Sequence, residues 1–354
     1  ILNSSWFLGP DPANAPNAGW FNYVPIASSQ YSAGPGINFY VVGLLISGTG
    51  TLITGINFLA TILTMRAPGM TLMRMPLFVW TTLVTSLLII FAFPPLTVNL
   101  ILLGLDRMVG TSFFGVSEGG SALLWQHLFW IFGHPEVYVI ILPAFGILSE
   151  VIPTFSRKPL FGYATMVVAT FGIGFLAFMV WSHHMFAVGQ TPLVNAIFGA
   201  TSMIIAIPTG VKIFNWLATM WGGRIRFTAA MKFASSFLIT FTIGGFSGVM
   251  HAVVPADWQQ TDTYFVVAHL HYVMVGGALF ALLAAIYYWF PKMFGRMLSE
   301  RAGSWAFWLV FVGFNVTFFP MHFSGLLGMP RRVYTYTADL GVSGLNLTST
   351  VGVF

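Results

Sequence analysis

An all-α bundle of membrane-crossing helices is the fold class this sequence predicts, on three observations. Hydrophobic residues make up 57% of 354 and charged residues only 6%, with a mean hydropathy of +0.83. A soluble domain carries roughly 25% charged residues, so this composition cannot build a water-facing surface. Apolar stretches of spanning length recur along the chain, and basic residues gather in every second loop between them. The net charge of +5 is scattered over those short loops, which suits a membrane surface better than a nucleic acid. Cysteine is absent. That excludes disulfides, thiolate metal sites and iron–sulfur clusters, leaving His nitrogen and carboxylate oxygen as metal ligands.

Taken in order, residues 1–36 are rich in Gly, Pro, Asn and Ser and read as an outer interfacial loop. In it Trp6, Trp20, Phe21 and Tyr23 suit headgroup depth. Eight apolar stretches follow over 37–328, at 37–65, 76–103, 123–152, 160–188, 194–221, 227–254, 263–291 and 304–328. Each is long enough for a bilayer, at about 20 residues per crossing. Helix is the only reading that satisfies each span's own backbone in lipid. Pro135, Pro143 and Pro208 imply kinks inside spans. Residues 329–354 read as an outer loop and the start of a ninth helix. With no repeat and no soluble segment, the chain reads as one membrane domain, 1–354. It opens at Ile1 in polar sequence and closes at Phe354 with an apolar run barely begun, so it is expected to be a piece of a longer chain.

The loops give orientation. Arg66, Arg74, Arg157, Lys158, Arg224, Arg226, Lys232, Lys292, Arg296 and Arg301 fall on alternate loops; the loops between hold only Arg107, Arg331 and Arg332. Ten basic residues against three assign the richer side to the cytoplasm or matrix by the positive-inside rule. The amino-terminal loop then lies outside.

At about 1.5 Å per helical residue, position becomes depth. His134, the pair His183 and His184, and the pair His269 and His271 all fall in the outer half, on three different spans. A single buried His is most simply a hydrogen-bonded core residue, but ionisable groups inside a membrane are rare and usually pair or bind something. His269 and His271 lie about 200° apart around a helix and so serve different partners. His183 and His184 differ by about 100° and could share one ion with His134, which suits copper, zinc or iron. Tyr138 lies at i+4 from His134, on the same face. Glu136 sits on another face as a proton-relay candidate or a carboxylic acid bonded to a carbonyl. Lys212, deep in the fifth span with Thr209 one turn above, either snorkels inward or carries protons up from the inner side, in a path that could include Ser149. His127, His251 and His322 lie near outer span ends and need no special role. Arg331 and Arg332 suit a carboxylate clamp or solvated loop charge.

The motifs WQHLFWIFGHPEVY, VWSHHMF, IIAIPTGVKIFNWLATM, DTYFVVAHLHYV and GMPRRV occur in this order. Together they resemble subunit I of the haem–copper oxygen reductases over nearly the whole chain. The resemblance implies that His134, His183 and His184 bind copper B and that Tyr138 is covalently joined to His134. It implies that His269 is the axial ligand of a high-spin haem, of a3 type, and His271 one axial ligand of a low-spin haem. Glu136 would end the D proton pathway; Lys212 and Thr209 would form the K pathway, with Ser149 at its entrance. Arg331, Arg332 and Trp20 would lie near the haem propionates. Where the family has His-Asp as ligands of a magnesium or manganese ion, this chain has Thr261-Asp262, so only Asp262 remains. The family's first three helices, with the second low-spin ligand, are expected outside this sequence.

The implied activity is reduction of dioxygen to water coupled to proton translocation, in a bacterial plasma membrane sooner than a mitochondrial one. Subunit II with copper A, subunit III and cytochrome c are the implied partners. Tyr272 after HLH favours a cytochrome c donor over a quinol, and the tyrosine of HPEVY disfavours a nitric oxide reductase. A proton-coupled transporter also uses intramembrane Glu and Lys, but it has no chromophore and leaves the histidines unexplained.

Overall fold

The computed structural model describes residues 4–8 and 14–354. Ile1 and the side chain of Trp6 lie outside the described residues. Among those described, the chain is helical, with one isolated bridge between Thr263 and Pro330. The α-helices are α1 (Gly36–Thr64), α2 (Leu77–Met108), α3 (Ala122–Ser156), α4 (Tyr163–Leu176), α5 (Pro192–Ile204), α6 (Ala206–Met220), α7 (Ala229–Ala252), α8 (Val254–Gln260), α9 (Tyr264–Val273), α10 (Phe280–Phe294), α11 (Glu300–Leu326) and α12 (Ser343–Val353).

Seven described helices are long and apolar enough to cross a membrane: α1, α2, α3, the α5–α6 run, α7, the α9–α10 run and α11. They cover seven of the eight expected stretches. The stretch 160–188 is divided instead, into the 14-residue α4 and a 3-10 turn at Trp181–Met185 that carries both adjacent histidines. Apolar composition registers hydrocarbon depth and is blind to such a break. Pro135 and Pro143 lie inside an unbroken α3. Pro208 marks a junction, because it cannot donate to the carbonyl of Ile204, where α5 ends. The chain steps through Ile205 before α6 begins. A π turn, Met274–Leu279, joins α9 to α10. The helix at Ser343–Val353 answers the ninth start expected near 341.

The chain forms two compact units, one of Ile1–Pro68 with Thr85–Val139, the other of Gly69–Val84 with Ile140–Phe354. In the first unit the segment before α1 is tied down by aromatic rings and one arginine. Trp20 lies 5.1 Å from Phe129 and 5.7 Å from Trp130, ring centre to ring centre. Trp125 Nε1 donates to Phe21 O at 3.0 Å. Arg107, expected as a loop charge, spreads its guanidinium over Asn38 Oδ1 (2.7 Å), Ala27 O (2.6 Å), Ser32 O (2.9 Å) and Gly34 O (3.0 Å). Arg107→Ala is expected to cost more than about 3 kcal/mol, since each bond from a charged donor is worth roughly 1.5–3 kcal/mol and several are lost together. Thermal unfolding in detergent measures this. Arg107→Lys should recover only part, because an ammonium cannot span four acceptors held for a planar fork.

In the second unit α9 packs against α7 on one flank and α11 on the other, α4 packs on α6, and α12 lies along α11. The α9 N-terminus is fixed by Thr263, whose Oγ1 accepts from Phe265 N at 3.1 Å.

Candidate functional site

The short helix α9 carries two histidines, and its two neighbours take one each. On the α7 flank, His269 Nδ1 lies 3.0 Å from both Gly244 O and Ser247 Oγ. Ser247 Oγ itself donates to Gly244 O at 2.9 Å, so both oxygens act as acceptors and Nδ1 carries the hydrogen. On the α11 flank, His271 stacks on Phe318 at 4.0 Å, with 14° between the planes. Its Nδ1 donates to Val267 O at 2.7 Å. In both rings the lone pair is thereby put on Nε2, the pattern a metal-ligating imidazole needs.

The α7 surface is shaped for the first ring. A Cβ at Gly248 would come within 3.0 Å of His269 Cε1. Gly248→Ala is therefore expected to tilt that imidazole at a stability cost of about 1–2 kcal/mol. If the ring holds a haem, the reduced-minus-oxidised spectrum should shift, and an unshifted spectrum would mean the ring is not oriented by this contact.

The adjacent pair sits in the 3-10 turn before α5. His183 Nδ1 lies 2.7 Å from Ser202 Oγ, which gives its own hydrogen to Phe198 O. His183 therefore donates from Nδ1, and its Nε2 lone pair faces Nε2 of His184 at 3.2 Å. Two imidazoles meeting nitrogen to nitrogen are a donor set for one cation with vacant positions. Ser202 was not legible as their partner from sequence, being 19 residues away on the next helix.

In the first unit His134 is 5% exposed, and its ring lies 4.7 Å from that of Tyr138, the i and i+4 neighbours expected on one face. Glu136 between them is half-buried.

The lysine does not snorkel. Lys212 is 0% exposed, and its Nζ donates to Thr170 Oγ1 at 2.6 Å and Met166 O at 3.2 Å on α4. Thr209, expected beside it, donates along its own helix to Ile205 O at 2.9 Å. Ser149 is buried and accepts from Trp216 Nε1 at 3.1 Å. A cleft of about 360 Å³ opens beside it, bordered by Arg74, Glu150, Thr154 and Tyr163. Neither Thr170 nor Trp216 was singled out in sequence. Only the packing of α4 and α3 on α6 brings them beside Lys212 and Ser149.

At the other end, Asp262 is 78% exposed, with Arg332 Nη1 4.0 Å away. Asp262 O accepts from Arg331 N at 2.9 Å. Arg331 Nε is buried without a hydrogen-bond partner. Burial first, then the adjacent Arg332, pull its guanidinium below its ordinary pKa, against Asp262. An anionic oxygen would relieve both conditions. Of the histidines left unassigned, His251 Nδ1 lies 3.1 Å from Asp257 Oδ1, and its ring stands edge-on to His269 at 5.1 Å. His322 donates to Phe319 O at 3.1 Å. Trp20 is 49% exposed.

Residues 1–354 match the family model described as cytochrome c and quinol oxidase polypeptide I. The chain belongs to this family. Cytochrome c oxidase subunit 1 of Bacillus subtilis (strain 168) is 61% identical over 354 residues, 100% of this chain and 56% of that protein. Quinol oxidase subunit 1 of the same organism is 55% identical over 354 residues, 100% of this chain and 54% of that one. The chain thus spans about half the length of the curated relatives it matches. A haem–copper terminal oxidase dimer solved by cryo-EM shares the fold, at TM-score 0.74 and 21% identity, over 95% of this chain and 62% of that one. Family membership and the apolar helices make this an integral membrane protein.

Proposed function

We propose that this chain is part of the catalytic subunit of a terminal respiratory oxidase, reducing dioxygen to water and conserving the energy as a proton gradient. The observation that carries the reading is α9, whose two histidines turn to opposite flanks with Nδ1 satisfied in each. Haem and copper, when bound, supply the electrons and Lewis acidity that dioxygen reduction needs. His269 would hold the high-spin haem, of a3 type, and His271 the low-spin one. His134, His183 and His184 would hold copper B, and the approach of the two adjacent imidazoles supports a shared ion.

Tyr138, joined to His134, would give an electron and a proton from the same ring. Glu136 and Lys212 would bring protons from the inner side, with Thr209 and Ser149 on the lysine's path. Arg331 and Arg332 would clamp haem propionates beside Trp20, and the unpartnered Arg331 Nε supports this. Asp262 would serve a magnesium or manganese ion only weakly, with Thr261 in place of a second ligand. The chain would form one membrane domain with eight crossings, the divided stretch 160–188 completing the eighth. It would lie in a bacterial plasma membrane beside subunit II with copper A and subunit III.

Cytochrome c is the proposed electron donor. A quinol is the second reading, favoured by the 55% identity to a quinol oxidase subunit. Tyr272, by its place after HLH and the family resemblance, supports the first. The assembled oxidase should show haem absorption, contain copper and consume dioxygen faster with reduced cytochrome c than with a quinol. Lack of haem bands or of copper overturns the oxidase reading; a faster quinol reaction overturns the donor alone.

A further inference from the structure

Lys212 reaches across to α4 and not along its own helix. Its Nζ meets Thr170 Oγ1 at 2.6 Å and Met166 O at 3.2 Å, and it lies 5.7 Å from the centre of the Phe145 ring. Thr170 Oγ1 gives its own hydrogen to Met166 O at 2.8 Å, so toward Lys212 it can only accept. Thr170 is itself fully buried. A carbonyl, a hydroxyl committed as acceptor and an aromatic face all favour a cation over a neutral amine. Lys212 takes part in neither of the ion pairs His251–Asp257 and Arg332–Asp262. As a cation it would be held here by dipoles.

We infer that Thr170 is a positioning residue that keeps Lys212 loaded with its proton on α4, an inference resting on the proton-carrying role proposed above for Lys212. Alcohol and amide oxygens cannot take a proton from an ammonium, so the cradle loads the lysine and does not discharge it. Delivery requires Nζ to leave Thr170 for an acceptor elsewhere. Thr209, whose hydroxyl is turned along its own helix to Ile205 O, is not part of the loaded state.

The test uses the assembled oxidase. Thr170→Val keeps the shape and removes the acceptor, while Thr170→Ser keeps the hydroxyl. Thr170→Val should slow anaerobic reduction of the high-spin haem by about tenfold, the loss of one hydrogen bond to a charged group. Thr170→Ser should stay within about twofold, its hydroxyl conserving that bond. In a Lys212→Met background Thr170→Val should add nothing, since the two act through one interaction. Should Thr170→Val lose its haem bands, Thr170→Ala carries the same comparison.

Equal slowing in both backgrounds would make Thr170 a packing residue and overturn the inference. So would a Thr170→Val protein reducing its haem at the wild-type rate. If Lys212→Met alone leaves haem reduction unchanged, the lysine's proposed role fails and the inference with it, while the haem bands still report separately on the oxidase reading.

Discussion

Gly325→Ala is expected to remove both haem sites in one step. Gly325 lies near the end of α11, where that helix passes the first turn of α9. A Cβ there would come within 2.7 Å of Phe265 Cα and closer still to Phe265 N. Both are backbone atoms, so no rotamer change relieves the clash; α9 must move as a body. Exchanging Gly for Ala inside a helix gains about 1 kcal/mol of propensity, whereas overpacking costs typically 1–3 kcal/mol even where side chains can yield. The clash wins, and a net loss above about 2 kcal/mol follows from the rigidity of the contact. Since α9 carries His269 and His271, the purified subunit should lose both haem spectra together and unfold at lower temperature. Gly50→Ala in α1 meets nothing within 4 Å and should be neutral, or stabilising by up to about 1 kcal/mol. Retention of one haem in Gly325→Ala would mean that α9 does not move as a unit.

What the sequence disclosed divides along a physical line. Local periodicity carries to the structure intact: Tyr138 packs on His134 because i and i+4 share a face, and His269 and His271 reach different helices because two residues turn a helix by more than half a circle. Hydropathy found the membrane-crossing stretches, because burial in lipid depends on the sum over about 20 residues and not on any one of them. It missed the break between Leu176 and Trp181, because the residues that make it, Ala177, Phe178, Met179 and Val180, are as apolar as the helix before them. Contacts between elements were out of reach. Thr209 is the obvious partner of Lys212 by spacing, yet the lysine's bonds go to Thr170 and Met166, more than 40 residues earlier. Ser247 and Gly244 under His269 were hidden likewise, because their only signature is a small, polar face on α7. Arg107 was misjudged for the same reason: as a letter it is a loop charge, and only the folded chain brings three loop carbonyls and Asn38 of α1 around it.

His269→Ala and His271→Ala are expected to fail differently, and the difference tests the assignment of the two rings. The rings lie two residues apart, share a helix and have the same tautomer, so general damage to α9 would treat them alike. Their surroundings differ. His269 is held by Gly244 and Ser247 against α7, with the His251 ring edge-on beside it. His271 is held by its own helix and stacked on Phe318 of α11. Changing the partners of a metal-bound imidazole alone costs about 10- to 100-fold in metal affinity or activity; removing the imidazole should exceed that in either variant, leaving dioxygen reduction below roughly a hundredth. The spectra separate them. His269→Ala should lose the haem that binds carbon monoxide and keep a low-spin band that still accepts electrons. His271→Ala should keep carbon monoxide binding but reduce its haem slowly, because electrons then lack their first stop. If His271→Ala were the variant to lose carbon monoxide binding, the two rings would have to exchange roles, and the α7 face of Gly244, Ser247 and Gly248 would belong to the electron-entry haem.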